Sequence, residues 1–148
     1  MRLSGLSGFL TLSGLLVSII LMTYRSKLGS YGEDLAVEYL LKGGYVIVSR
    51  NFRKPWGEID IIAKDKKGTL VFFEIKTVRN QSAITDLEIT PEEEMTKPKI
   101  KKLTRTCSLY AGENQELILE KYGWQIDVLA ITIYEHNIDI KHYPNIIG

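Results

Sequence analysis

The chain has 148 residues, 45% of them hydrophobic and 25% charged, with a formal net charge of +1. That is one domain's worth of chain with enough apolar residues for a core, which excludes a disordered protein and any global basic field that would gather nucleic acid. Cys107 is the single cysteine, so no intrachain disulfide can form, as suits a reducing compartment. His136 and His142 have no partner at zinc-ligand spacing and read as ordinary polar residues.

From Leu3 to Tyr24 the chain carries no charged residue. At about 1.5 Å per residue a helix there would cross the ~30 Å core of a bilayer. Arg25 and Lys27 follow this stretch and only Arg2 precedes it, which orients a following domain toward the cytoplasm. The competing reading starts the protein at Met22 and makes the first residues an over-long gene assignment. The chain thus divides into an apolar segment over 1–24, either anchor or mis-assigned start, and a folded domain over 25–148.

Ser30 to Lys42 has helical periodicity through Leu28, Tyr31, Leu35, Ala36, Tyr39 and Leu40. Ser30 is placed to N-cap it with Glu33 as capping-box partner, and Gly43–Gly44 ends it. Tyr45–Asn51, Glu58–Lys64 and Thr69–Val78 read as strands, and "ITPEEEMT" as a loop. Lys97–Ala111 is a second helix with Ile100, Leu103, Cys107 and Ala111 as its stripe and Pro98 in its first turn. Glu116–Lys121 reads as a short helix. Gln125–Tyr134 is a strand apolar on both faces after Asp127, hence central, and Ile138–Tyr143 a final edge strand. The expected class is α/β, a mixed sheet flanked by helices.

In "GEIDIIAKDKKGTLVFFEIKT", Gly57 to Thr77, two apolar strands carry charges in their middle. "DKKG" between them suits a type I turn followed by a left-handed Gly68, a three-residue hairpin loop. That register sets Asp60 opposite Glu74 and Glu58 opposite Lys76, all four on one face. Opposed Cβ atoms lie roughly 4.5–5.5 Å apart. Two carboxylates at that spacing repel unless a cation lies between them, and Mg²⁺ is held by one or two carboxylates with waters and phosphate. The plainer alternative is a Glu58–Lys76 ion pair on a solvated face.

The segments "GSYGEDLAVEYLLKGGYVIVSRNFRKPWGEIDIIAKDKKGTLVFFEIKT", "TPEEEMTKPKIKKL" and "IDVLAI" resemble the uncharacterised bacterial YraN family. The resemblance implies a restriction-endonuclease-like fold, related to Holliday-junction resolvases among the PD-(D/E)xK nucleases. In that superfamily the acidic pair binds the metal and the lysine aids the attacking water. The matching residues here are Asp60 and Glu74 as Mg²⁺ or Mn²⁺ ligands and Lys76 as the catalytic lysine. Glu33 stands where a first-helix acidic residue joins them, with the capping box as its other role. Val78 and Gln125 stand where the family often has arginines, which weakens the expected phosphate contacts.

Lys97, Lys99, Lys101, Lys102 and Arg105 form a basic run, with Lys99 and Lys102 on one side of a helix. Together with Arg53 they are candidate phosphate contacts; a solvated helix face is the competing reading. Arg50 and Lys54 lie nearby, and Trp56 reads as packed at a strand entrance or stacked on a base. The leading reading is an Mg²⁺-dependent DNA endonuclease, with structure-specific cleavage left open. The alternatives are a non-catalytic nucleic-acid-binding module on the same fold and a membrane-tethered structural or interaction protein. A homodimer is left open. The expected location is cytoplasmic, or inner-membrane anchored if residues 1–24 are retained.

Overall fold

The structure is a computed structural model that describes residues 3–80 and 95–148, with side chains described from Gly14 on. Helix α1 spans Leu3–Lys42 and strands β1 to β3 span Val46–Lys54, Gly57–Lys64 and Leu70–Arg79. Helix α2 spans Lys97–Glu113, a single 3₁₀ turn follows at Gln115–Leu117, and β4 and β5 span Trp124–Ile133 and Ile138–Tyr143. The strands form one sheet in the order β1-β2-β3-β4-β5. Neighbours are antiparallel except β3 and β4, which run parallel. A parallel pair needs a crossover, and α2 lies within it. The chain is therefore α/β, a five-stranded mixed sheet with two helices, consistent with a restriction-endonuclease-like fold. Most of the "ITPEEEMT" loop lies outside the described residues.

Alternation along β3 sets which side chains meet which helix. Val71 and Phe73 pack under α1 with Ala36, Leu40 and Leu129. Leu70 and Phe72 pack under α2 with Leu103, Cys107, Tyr110 and Ile126. Continuing the period, Ile75 goes to the α1 side, and Glu74 and Lys76 go to the α2 side.

The helix expected to begin at Ser30 does not begin there. α1 runs unbroken through that residue, so Ser30 caps nothing and the capping-box role of Glu33 falls away. The intervening Arg25, Lys27 and Leu28 are good helix formers, and no proline interrupts them. Residues 14–27 are exposed on all sides, and contact with the sheet begins at Leu28. Tyr31, expected in the apolar stripe, is exposed. Its place is taken by Gly32, where a Cβ would lie 1.8 Å from Thr77 Oγ1. α1 can sit that close to β3 only because glycine is there. Among the residues whose side chains are described, no helix is long and apolar enough to cross a membrane.

The hairpin register is as expected, with Ile61 opposite Phe73 and Lys64 opposite Leu70. Gly68 is left-handed at φ 96°. The Asp65 carboxylate accepts the N–H groups of Lys67, Gly68 and Thr69, which locks the loop and with it the register.

Candidate active site

β2 and β3 pair only from the turn to Ile61 and Phe73. Beyond that point β2 stays with β1 as far as Gly57, and β3 stays with β4 as far as Arg79. The two strands separate where their acidic residues begin. Asp60 fills the opening: its Oδ2 accepts the Ile75 N–H at 2.8 Å in place of a strand-to-strand bond. The N–H and C=O of a strand residue point to the same edge, so the Ile75 carbonyl also faces this opening. By register, the residue opposite Asp60 on β1 is Asn51, which is left-handed at φ 52°. Ile61 packs under α1 but Ile59 under α2, although period two would give them one face. A left-handed residue beside the strand accompanies this re-aiming, as irregularities near sites commonly do.

The opening is a cleft of about 330 Å³ roofed by α2. Asp60, Glu74, Lys76, Lys99 and Lys102 all line it, with Lys54, Glu58 and Thr106. α2 comes this close because Gly57 has no Cβ; one would lie 2.0 Å from Thr106 Oγ1. Thr106 is one turn beyond Lys102, so Lys99, Lys102 and Thr106 share one face of α2. That spacing was readable in the sequence, but Thr106 was not singled out, nor was Met95, which also lines the cleft.

Electrostatically the site is short of positive charge at its centre. The Asp60 carboxyl is pushed from 3.8 to about 7, first by burial and then by the charge of Glu74. Glu33 raises it further, while the Ile75 N–H and Lys76 act in the opposite direction. Glu33, on α1, thus acts on Asp60 through its charge. Lys76 Nζ lies 3.0 Å from Glu74 Oε1, both side chains being about four-fifths buried.

Three groups of charged residues have surroundings that the sequence did not show. Lys76 pairs with Glu74 rather than with Glu58, and Glu58 is exposed with Arg53 at 4.0 Å. The separation of the strands carries the outer end of β2 away from Lys76. Arg53 is not among the cleft-lining residues; alternation gives that place to its neighbour Lys54. Arg50 is paired with Asp34 at 2.7 Å and ties β1 to α1.

Trp56 is 42% exposed rather than packed. His142 is more than an ordinary polar residue. Its Nε2 lies 2.6 Å from Oδ2 of the buried Asp127. Oδ1 of that carboxylate accepts Gln125 Nε2 and the Asn145 N–H. Burial, then Asp127, pushes the Tyr45 phenol up beside this group. A lone aspartate in an apolar strand was the available signal, but apart from Gln125 its partners come from a different strand and from the chain's last residues.

Whether a divalent ion suits the cleft can be asked of its donors. Among the described residues no three of Asp, Glu, His and Cys form a group able to hold a metal by themselves. Asp60 and Glu74 supply two hard oxygen ligands whose mutual repulsion a cation would relieve. Mg²⁺ characteristically completes such a pair with waters and substrate phosphate. The residues present therefore fit the ion.

The uncharacterised protein family UPF0102 matches residues 32–131. A UPF0102 protein of Clostridium botulinum (strain Hall) is 39% identical over 127 residues, covering 84% of this chain and 97% of that protein. One from Syntrophotalea carbinolica is 35% identical over 124 residues, covering 83% and 94%. A third, from Fervidobacterium nodosum, is 35% identical over 127 residues. The match takes in Glu33, the GEID strand, the E-I-K strand and α2, the segments on which the YraN resemblance rested. With a family match across most of the folded domain and relatives aligned along nearly their whole length, this chain belongs to the UPF0102 (YraN) family.

Proposed function

We propose that this protein is a Mg²⁺- or Mn²⁺-dependent nuclease that hydrolyses DNA phosphodiester bonds. The observation that carries the reading is the convergence of Asp60, Glu74, Lys76, Lys99 and Lys102 on one cleft where β2 and β3 part. In it, two carboxylates are set against cations on the facing helix.

Asp60 and Glu74 would hold the ion, with the Ile75 carbonyl facing the same opening. When bound, the ion supplies Lewis-acid polarisation of the phosphoryl group and lowers the pKa of a coordinated water. Asp60 is already oriented by the Ile75 N–H. Lys76, oriented by Glu74, donates hydrogen bonds to the attacking water or to the phosphoryl oxygens as negative charge builds on them. Lys99 and Lys102 hold the flanking phosphates from the opposite wall, with Arg53 farther out on the strand edge. Glu33 orients an outer-shell water, which its electrostatic reach to Asp60 supports.

The test is purified protein with Mg²⁺ or Mn²⁺ on single-stranded, duplex and branched DNA. We expect cleavage that EDTA abolishes and that Asp60→Asn and Lys76→Ala each reduce at least about a hundredfold. We also expect Mg²⁺ to stabilise the wild type by mass action but not Asp60→Asn, a readout independent of turnover. DNA binding without cleavage under every metal would replace this reading with that of a non-catalytic binding module.

A further inference from the structure

The tip of the β1–β2 hairpin carries an exposed aromatic side chain, Trp56, next to cleft-lining residues. The tip is the two-residue turn Pro55–Trp56, closed by the pairing of Lys54 with Gly57. Lys54, Pro55 and Gly57 line the cleft, and Trp56, between the last two, is 42% exposed beside it without itself lining it. Tryptophan is highly buried on average, so a half-exposed one in this place is informative. Pro55 has a fixed φ, which stiffens the tip and lowers the entropy lost when a ligand settles on the ring.

The surrounding charge suggests the ligand. Lys54 on the tip faces Lys99 and Lys102 on α2 across the same cleft. A phosphate held between these walls would bring its own sugar and base within reach of the tip. A base inside a duplex is already stacked on both sides and has nothing to gain from Trp56. A cleft of about 330 Å³ has room for a phosphate and its sugar, which leaves the attached base outside it. Base–aromatic stacking is tolerant of sequence because every base has a π face.

We infer that Trp56 is a stacking platform for an unpaired base, so that the cleft takes DNA with unpaired nucleotides beside the bound phosphate rather than continuous duplex. This rests on the nuclease reading for the identity of the ligand, but not on turnover.

The experiment is binding in EDTA, where no cleavage occurs, of labelled oligo(dT) and of a blunt hairpin duplex across a salt series. The proteins are wild type, Trp56→Ala, Trp56→Phe and Lys102→Ala. We expect wild type to prefer oligo(dT) and Trp56→Ala to weaken that binding about fivefold or more, with Trp56→Phe retaining most of it. Trp56→Ala should leave duplex binding and the slope against salt unchanged. Lys102→Ala should lower the slope by about 0.7 for the single strand. Equal binding of both DNAs with Trp56→Ala indifferent would overturn the inference and leave the nuclease reading standing. Binding of neither DNA would overturn both.

Discussion

Asp60 is the residue on which the site's energetics turn. Its folded-state carboxyl titrates near 7 against an ordinary 3.8, so the folded chain holds this proton more tightly than the unfolded one. Stability from the group is fully present below about pH 4 and is lost as pH rises toward 7, leaving a constant penalty above it. Asp60→Asn imitates the protonated side chain and should remove the penalty. Three pKa units correspond to about 4 kcal/mol, which solvent in an open cleft reduces, so we expect a gain of about 1–2 kcal/mol at pH 8. At pH 4 the gain should vanish. Urea denaturation of both proteins in EDTA at the two pH values checks this, and a loss at pH 8 would contradict it. Glu74→Gln should behave differently. It removes the charge that raises Asp60 but also removes the partner 3.0 Å from Lys76, so the two effects oppose and apo stability should change little. The sharper readout is the Asp60 titration itself, which carbon-detected NMR should find moved toward ordinary carboxylate values.

At the level of elements, the cleft depends on how closely α2 approaches the start of β2. Gly57 and the buried Thr106 set that approach. Gly57→Ala places a methyl where Thr106 Oγ1 now lies, and overpacking of this kind costs about 1–3 kcal/mol. Thr106→Ala in the same chain should recover part of that loss in a double-mutant cycle; strict additivity would refute the contact. The far end of the sheet is held by a different device. Asp127 collects Gln125, His142 and the Asn145 N–H, which ties β4 to β5 and to the chain's last residues. Asp127→Ala leaves these donors without a buried acceptor and should cost about 2–4 kcal/mol. Hydrogen exchange should locate the loosening in β5 and the tail, leaving the cleft-forming strands protected.

For the whole molecule, α1 both covers the sheet and projects beyond it. From Gly14 to Lys27 its described side chains are exposed, Leu15, Leu16, Ile20 and Met22 among them. A chain beginning at Met22 should therefore keep the domain's stability within about 0.5 kcal/mol, the usual range for surface changes. Thermal and urea melts of both lengths test this. A clear loss would mean that the projecting turns support the domain. Much of the fold was legible in the sequence, because strand periodicity, turn chemistry and helix stripes are local properties. The "DKKG" turn alone set the hairpin register, and Asp65 holds it with its own side chain. That Asp60, Glu74 and Lys76 belong together was also legible, from alternation in two strands joined by a short loop. The start of α1 was misread because Ser30 has a capping residue's chemistry, while helix continuity depends on residues on both sides of it. Tertiary structure alone decided that β2 and β3 separate beyond Ile61, which sends Glu58 to Arg53 and gives Lys76 to Glu74. It alone chose Lys54 over Arg53 for the cleft, exposed Trp56 at its rim, and gave Asp127 a histidine from another strand. The sequence by itself determined what neighbours along one chain segment impose on each other; which surfaces meet across segments depends on how the sheet twists and how closely the helices approach it.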